Sequence, residues 1–268
     1  MVGLTLVAAA TGCGQGLEVG SNVLWSARFE NGDLDEWKNP ILAGLDGGSI
    51  AGGISTPSGG GSLVGVTMPG TDPTHDASKY AAKFFITGTG TLQSQSLSLS
   101  GDLPQQAYYS SWFYIPSSVT IPANGYWIIM KIRRMNAAGN ESELYDFNLK
   151  NGAGGGDGGT GDLSLRLYDW DTGGGDNPIV ANPVIHVGTW FQIEAFYRNG
   201  SGSDGHLTVW LDGTKILEKA NGPATTTSWV WWEVADIGLN LTPAMATVYA
   251  DDAAISSVPV GPTGRIAR

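Results

Sequence analysis

Short runs of alternating residues, rich in β-branched and aromatic side chains, recur along the chain from about residue 22. Clusters of Gly, Asn, Asp and Ser separate these runs at the spacing that is typical of β-sandwiches and barrels. The pattern shows no βαβ rhythm, and 40 glycines with 13 prolines disfavour long amphipathic helices. The sequence therefore predicts an all-β fold. The eleven runs are NVLWSARFE, KYAAKFFITG, LQSQSLSLS, QAYYSSWFYIP, GYWIIMKIRRM, SELYDFNLKN, LSLRLYDWDT, TWFQIEAFYRN, GHLTVWLDGTKIL, WVWWEVADIGLN and TVYADDAAISS.

The length of the chain favours one domain. A chain of 268 residues that is 41% hydrophobic can bury a sizeable core, and β-sandwiches often reach this size as a single unit. We expect that domain to span residues 21–268. The longest stretch without a strand pattern, residues 38–76, is expected to be a surface loop, because strands on both sides of it are needed to complete one sandwich.

The charge of the chain argues against nucleic acid as a partner. The formal net charge is −11, and no run of Lys and Arg is longer than that in KIRR, whereas phosphate binding needs a basic surface stripe. No stretch of 18 or more apolar residues occurs in the sequence, so none is expected to span a membrane as a helix.

The single cysteine, Cys13, follows a short apolar run in LTLVAAATGCGQG. A short apolar segment that ends in small residues is typical of a secretory signal, and Ala-Thr-Gly-Cys resembles the lipobox of bacterial lipoproteins. We therefore expect residues 1–20 to be a signal-like segment, the protein to be secreted or held at the cell surface, and Cys13 to be a lipidation site. The alternative is a buried or disordered cysteine. Contact with a membrane is expected only through a lipid anchor at Cys13.

Alternation along the central strands predicts a polar side to the sheet, since successive side chains of a strand point to opposite faces. Apolar residues such as Ile132, Phe147 and Leu165 form the inner set. The outer set carries long hydrogen-bonding side chains beside aromatic rings on strands that are expected to be neighbours. It consists of Lys131, Arg133, Asp146, Asn148, Lys150, Ser164, Arg166, Tyr168, Trp170, Gln192, Glu194 and Phe196.

Such a face suits carbohydrate. Sugars stack on aromatic rings while planar polar side chains bind their hydroxyl groups, and a carboxylated sugar adds a need for Arg. The predicted substrate-binding residues are Lys131, Arg133, Asn148, Lys150, Arg166, Trp170, Gln192 and Glu194. The alternative is a structural face of cross-strand ion pairs that join Lys131 or Arg166 to Asp146 or Glu194.

Three segments carry a family resemblance. VLWSARFENGDLDEW resembles the opening strand, and TVYADDAAISSVPVGP the closing strand, of secreted proteins with the concanavalin A-like jelly roll, especially polysaccharide lyases and related carbohydrate-binding modules. GTWFQIEAFYRNGSGSDGHLTVWLDGTKIL resembles the hairpin that precedes the closing strand in these proteins. The resemblance covers residues 22–262 and implies a two-sheet antiparallel jelly-roll sandwich. It does not specify the activity, because one scaffold serves lectins, hydrolases and lyases.

The resemblance also implies a metal site. In this fold the first and last strands lie close together, so Glu30 is expected to approach Asp251 or Asp252. Gathered carboxylates repel one another unless a cation joins them, and Ca²⁺ is the usual extracellular choice. The alternative is that Asp33 and Asp35 make turn hydrogen bonds while the Asp251–Asp252 pair faces solvent.

Three functions remain open on the sequence alone. The first is polysaccharide binding, the second is a divergent lyase that acts by β-elimination on a uronate polymer, and the third is a structural subunit that assembles with copies of itself. A lyase needs a base and a proton donor, often His and Tyr, and Tyr168 is the candidate for proton transfer. The three histidines, His75, His186 and His206, are all expected to lie off the polar face, which favours binding over catalysis.

Overall fold

Strand pairing joins the predicted runs into two antiparallel sheets in the computed structural model of the chain. The alternating apolar residues of the two sheets meet in one core between them. The predicted all-β, two-sheet antiparallel jelly-roll sandwich is thereby confirmed. The structure describes residues 22–43, 50–55, 63–76, 78–87, 93–135, 141–152, 162–171, 176–178, 184–222, 229–243 and 245–263.

Eight strands form the first sheet. They are β1 (Val23–Ala27), β3 (Leu63–Val66), β4 (Ala82–Thr87), β7 (Gln106–Tyr114), β13 (Trp190–Arg198), β14 (His206–Leu211), β15 (Thr214–Lys219) and β17 (Met245–Ser256). Their order is β15-β14-β13-β7-β17-β4-β3, with β1 also paired to β17. The predicted hairpin before the last strand corresponds to β13, β14 and β15.

Nine strands form the second sheet. They are β2 (Ile50–Ser55), β5 (Gln93–Ser94), β6 (Ser96–Gly101), β8 (Tyr126–Met135), β9 (Glu141–Asn151), β10 (Asp162–Asp169), β11 (Asp176–Pro178), β12 (Val184–His186) and β16 (Trp229–Leu239). Their order is β11-β10-β9-β8-β16-β6-β2, while β12 pairs with β10 and β5 pairs with β16. The four longest neighbours, β10, β9, β8 and β16, form the middle of this sheet.

The last strand holds the first sheet together. β17 pairs with β7 on one side, and on the other side with β4 along its first half and with β1 along its second half. Ala27 of β1 lies opposite Ala253, so the first and last strands are adjacent, as the family resemblance implied.

A group of aromatic rings fills the core where the two sheets and a short helix meet. Trp25 comes from the first sheet and Trp232 from the second, and Trp37 comes from α1 (Asp35–Lys38). The Trp37 ring centroid lies 4.7 Å from that of Trp25 and 5.4 Å from that of Trp232, and Trp37 is completely buried. Aromatic pairs at these distances add to the free energy gained by burying the rings.

The expectation of a surface loop over residues 38–76 is wrong in part. This stretch contains β2, which pairs with β6 in the second sheet, and β3, which pairs with β4 in the first. β2 (IAGGIS) is rich in Gly, Ala and Ser, which are weak strand formers, and β3 (LVGV) has only four residues, so their pairing depends on the tertiary structure more than on local propensity.

Helix α1 presses directly on β2 at Gly52. A Cβ atom built on Gly52 would lie 1.7 Å from the backbone oxygen of Trp37. A Cβ atom built on Gly65, in β3, would meet no atom within 4 Å. The two strand glycines therefore form a matched pair for measuring how closely α1 packs.

We expect Gly52→Ala to lower the free energy of unfolding by roughly 1 to 3 kcal/mol, because a clash with backbone forces α1 and β2 apart. Gly65→Ala should be neutral or slightly stabilising, since Ala restricts the unfolded chain more than Gly does. Urea denaturation followed by tryptophan fluorescence measures both changes. Equal effects of the two substitutions would contradict this account of the packing.

Candidate functional site

The outer side of the second sheet carries a row of polar residues that crosses four neighbouring strands. In this row Glu233 of β16 pairs with Lys131 of β8, which pairs with Asp146 of β9, which in turn pairs with Tyr168 of β10. All four point away from the core, because the residues that flank them in sequence are core residues. We call the outer surface of β16, β8, β9 and β10 the polar face.

Most residues in the middle of the polar face are buried although they point outward. Lys131 and Asp146 are 2% exposed, Glu233 is 3% exposed and Asn148 is 5% exposed. Lys131 Nζ lies 4.0 Å from Asp146 Oδ1, and Arg133 Nη1 lies 3.4 Å from Glu233 Oε1. These cross-strand ion pairs compensate the charges that burial would otherwise penalise. The polar face therefore includes the Lys131–Asp146 pair that the structural alternative anticipated.

Aromatic rings lie beside this charged row. The indole N–H of Trp170 donates to Asp146 Oδ2 at 2.7 Å, and its ring centroid is 4.7 Å from that of Tyr168. Trp170 remains 45% exposed, so much of it is open to solvent. The hydrogen bond holds an exposed ring in a defined position, as a stacking platform requires.

The remaining predicted residues of the polar face extend the site along β9 and β10. Arg166 lies opposite Asn148, and Lys150 lies opposite Ser164. The Lys150 ammonium group lies 5.6 Å from the centroid of the Tyr126 ring. Arg166 is only partly buried, and it has no ion-pair partner within the part of the chain that the structure describes.

The sequence analysis missed the contribution of β16 to the polar face. Trp229, Trp231 and Glu233 alternate with buried Val230 and Trp232, so they point outward. The Arg133 guanidinium lies 4.9 Å from the centroid of the Trp231 ring, a cation–π contact. The alternation in WVWWE indicates that these side chains point outward. Only the pairing of β16 with β8 places Trp231 next to Arg133.

Gln192 and Glu194 do not belong to the polar face, and their predicted place on it is wrong. Both lie on β13, on the outer side of the first sheet. Glu194 Oε2 accepts hydrogen bonds from the backbone N–H groups of Val260 and Gly261 at 2.7 and 3.1 Å. Gln192 Nε2 donates to Ser110 Oγ and to the Gly261 carbonyl. Burial raises the pKa of Glu194, while the two backbone donors act in the opposite direction.

The three histidines were expected to lie off the polar face, and His186 lies beside it. It lies on β12, which pairs with β10, and it follows buried Ile185, so it points outward. His186 Nδ1 is 2.8 Å from Asp162 Oδ1. His206 is on the outer side of the first sheet, and His75 stacks on Trp112 of the same sheet at 3.9 Å. His186 thus lies opposite Asp162, and Asp162 precedes Tyr168 on β10 by six residues.

Acidic residues from the two ends of the chain each accept a backbone hydrogen bond from the segment that contains His75 and Lys79. The backbone N–H of His75 donates to Asp251 Oδ2 at 3.2 Å, and that of Lys79 donates to Glu30 Oε1 at 3.2 Å. Burial, and then the neighbouring Asp252 carboxylate, raises the pKa of Asp251 to about 8. Asp251 is completely buried, so the alternative in which it faces solvent is wrong.

Asp252 differs from Asp251 in having a cationic neighbour, Arg28. Its Oδ1 lies 3.3 Å from Arg28 Nε, and its Oδ2 lies 2.8 Å from His75 Nδ1. Asp33 Oδ1 accepts the backbone N–H of Asp35, which is the turn hydrogen bond that the alternative predicted. Among the described residues, no group of three or more His, Cys, Asp or Glu side chains is placed to hold a metal ion.

Two further predictions concern the membrane. Cys13 lies outside the residues that the structure describes. In the described part of the chain, no helix is long and apolar enough to cross a membrane.

Comparison with known proteins supports the fold. No protein-family model matches the chain, and no curated protein matches it. The structure of endo-β-1,4-glucuronan lyase from the fungus Trichoderma reesei aligns with a TM-score of 0.53 at 12% identity, over 80% of this chain and 92% of that one. The cellulose induced protein Cip1 aligns with a TM-score of 0.47 at 15% identity, over 88% of this chain and 98% of that one. Alginate lyase Aly36B also has a TM-score of 0.47, at 11% identity, over 70% and 82% of the two chains. The chain thus shares its two-sheet jelly-roll fold with the glucuronan lyase.

Proposed function

We propose that the polar face binds a polysaccharide that carries carboxylate groups. The observation that carries this proposal is Arg166, a partly exposed cation without an ion-pair partner in the described structure, two residues from Tyr168 on the same side of β10. A guanidinium group binds a carboxylate through two parallel hydrogen bonds. The Tyr168–Trp170 rings, on the same side of the strand, offer a surface for stacking.

The negative net charge of the chain makes a local cation such as Arg166 necessary for binding a polyanion. A protein with a net charge of −11 repels a polyanion unless local cations compensate. The two described ion pairs of the polar face use Lys131 and Arg133, which leaves Arg166 as the cation best placed for a ligand. The glucuronan lyase with the same fold acts on a uronate polymer, which supports this choice of ligand class.

Such a polymer would be met outside the cell. Export of the protein, and lipidation of Cys13, belong to this proposal and rest on the amino-terminal sequence pattern alone. Mass spectrometry of the protein purified from its source would identify an acylated Cys13.

A divergent lyase is the second candidate, and the position of Tyr168 favours it. Tyr168 shares a cross-strand row with Lys131 and Asp146 and lies two residues from Arg166. In β-elimination a base takes the proton from C5 of the uronate, the C4–O bond breaks as the C4–C5 double bond forms, and an acid protonates the leaving oxygen. Arg166 would neutralise the carboxylate, and Tyr168 would transfer a proton.

A calcium ion between Glu30 and Asp251 is a further part of the proposal. A cation beside Asp251 would favour its charged form, which burial otherwise disfavours. Asp252 is a poorer ligand than Asp251, because Arg28 and His75 already contact its two oxygens. Calcium takes six to eight oxygen ligands, so backbone and water oxygens would have to complete the site.

We expect Arg166→Ala to weaken binding of a polyuronate by roughly 1.5 to 3 kcal/mol, the range for a hydrogen bond to a charged group. Added salt should weaken binding by the parent protein, since the attraction is between charges. Calorimetric titration with alginate oligosaccharides measures both effects. Arg198→Ala, on the first sheet, removes the same charge and is the control.

The same titration separates the alternatives. A neutral ligand at the polar face would make Trp170→Ala the damaging change and leave binding almost independent of salt. If neither substitution affects binding of any glycan, and sedimentation shows that the protein assembles through this face, a structural subunit replaces the proposal.

If incubation with a polyuronate yields unsaturated products, detected by their ultraviolet absorbance, we expect Tyr168→Phe to reduce the turnover rate by about 100-fold or more, the contribution of a positioned proton-transfer group. Binding of the polymer should change little, because the ring remains. Tyr108→Phe, on the outer side of the first sheet, is the control. Full activity of the Tyr168→Phe variant would remove Tyr168 from the reaction.

The calcium proposal predicts a specific pH dependence of stability. The folded-state pKa of Asp251 is about 8 and its ordinary value is 3.8, so between these limits the native state binds a proton that the unfolded state has released. The contribution of Asp251 to the free energy of unfolding should therefore fall as the pH rises from about 4 to about 8 in a chelator. Calcium should reverse this loss, because it binds the native carboxylate.

Thermal melting with and without calcium across this pH range measures the effect. Asp251→Asn should flatten the pH dependence and abolish the response to calcium. A melting temperature that chelator and calcium leave unchanged at pH 8 would refute the metal site.

A further inference from the structure

The outer side of the first sheet, opposite the polar face, carries a second aromatic surface. Lys83 of β4 pairs with Tyr249 of β17, Tyr249 pairs with Tyr114 of β7, and Tyr114 pairs with Trp190 of β13. All four point away from the core, since the flanking residues are core residues. We call Tyr249, Tyr114 and Trp190 the outer aromatic row.

The three rings of the outer aromatic row form a continuous line across the strands. The centroid of Tyr114 is 6.0 Å from that of Tyr249 and 5.5 Å from that of Trp190. His75 lies beside the line, stacked on Trp112 of β7, with its ring centroid 5.5 Å from that of Trp190. Tyr114 and Trp190 are partly exposed, whereas Tyr249 is only 6% exposed and supports Tyr114 from the side. The two accessible rings offer neighbouring stacking positions to the units of a linear polymer.

The charges around the outer aromatic row are paired within the protein. Asp72 accepts hydrogen bonds from Lys83 Nζ at 2.9 Å, from the Tyr249 hydroxyl at 3.1 Å and from the Met68 N–H at 3.0 Å. Also on β17, Asp252 contacts Arg28 and His75. Asp72 and Asp252 thus each have a cationic partner, Lys83 and Arg28 respectively.

From these observations we infer that the outer aromatic row is a second glycan-binding surface, and that its ligand is a neutral polysaccharide. Aromatic faces attract the C–H faces of sugars regardless of charge, while the paired ions around the row offer hydrogen bonds without a net charge to attract a polyanion. Another copy of the chain fits less well, because two molecules of net charge −11 repel. This inference does not depend on the ligand of the polar face.

Cross-strand aromatic pairs also stabilise sheets without any ligand, so the experiment must separate binding from stability. Affinity electrophoresis through gels that contain hydroxyethylcellulose or galactomannan, both uncharged, reports binding as retardation. Trp210→Ala is the matched control, because Trp210 lies on the outer side of the same sheet but against Tyr108, outside the row.

We expect at least one of the two polymers to retard the parent protein. Trp190→Ala should bind about tenfold more weakly, since a lost ring contact removes on the order of 1.4 kcal/mol. Retardation of Trp210→Ala should match that of the parent, and 0.5 M salt should have little effect. Should Trp190→Ala melt at a lower temperature than the parent, Tyr114→Leu gives the same test with a large apolar residue in place of the ring.

Three results would overturn the inference. The first is that neither neutral polymer retards the parent protein. The second is that the variants of Trp190 and Tyr114 retain full binding. The third is that Trp170→Ala abolishes the retardation while the row variants do not, which would place the neutral glycan on the polar face instead.

Discussion

The contact of Trp232 with Trp25 and Trp37 in the core determines which side chains of β16 point away from the core. Once Trp232 is fixed between the sheets, the pleat of the strand points Trp231 and Glu233 outward. Tyr145 has the same effect on β9, since its contact with Tyr197 of the first sheet turns Asp146 to the opposite side. The candidate site is therefore built from residues that alternate with the core, and its geometry is as rigid as the core packing.

Two kinds of charged residue lie on the polar face, and burial distinguishes them. Lys131 and Asp146 are nearly inaccessible and close to each other, so their main effect is on the strength and register of strand pairing. Arg166 is more exposed and has no such partner in the described structure. The polar face thus combines charged residues that stabilise the sheet with one, Arg166, that is accessible to a ligand. Residue type alone does not distinguish these two kinds of charged residue.

Alternation in the sequence was sufficient for all eleven predicted strands and for the residues of β8, β9 and β10 on the polar face. It was insufficient for β2, which is rich in Gly, and for β3, which has only four residues. It also misplaced Gln192 and Glu194, because period two shows which residues of a strand share a side but not to which sheet the strand belongs. Ion pairing between Arg133 and Glu233 depends on contact of residues 100 positions apart, which a local pattern does not contain.

The position of β17 in the middle of the first sheet has a consequence for biosynthesis. Among the described strands β1 pairs only with β17, and β17 also joins β4 to β7. The ribosome makes the partner of β1 more than 200 residues after β1 itself, so β1 has an unsatisfied backbone edge until β17 has been made. Closing such a distant pair is slow, and unpaired strand edges invite aggregation meanwhile. The first sheet therefore cannot be completed before β17 has been synthesised.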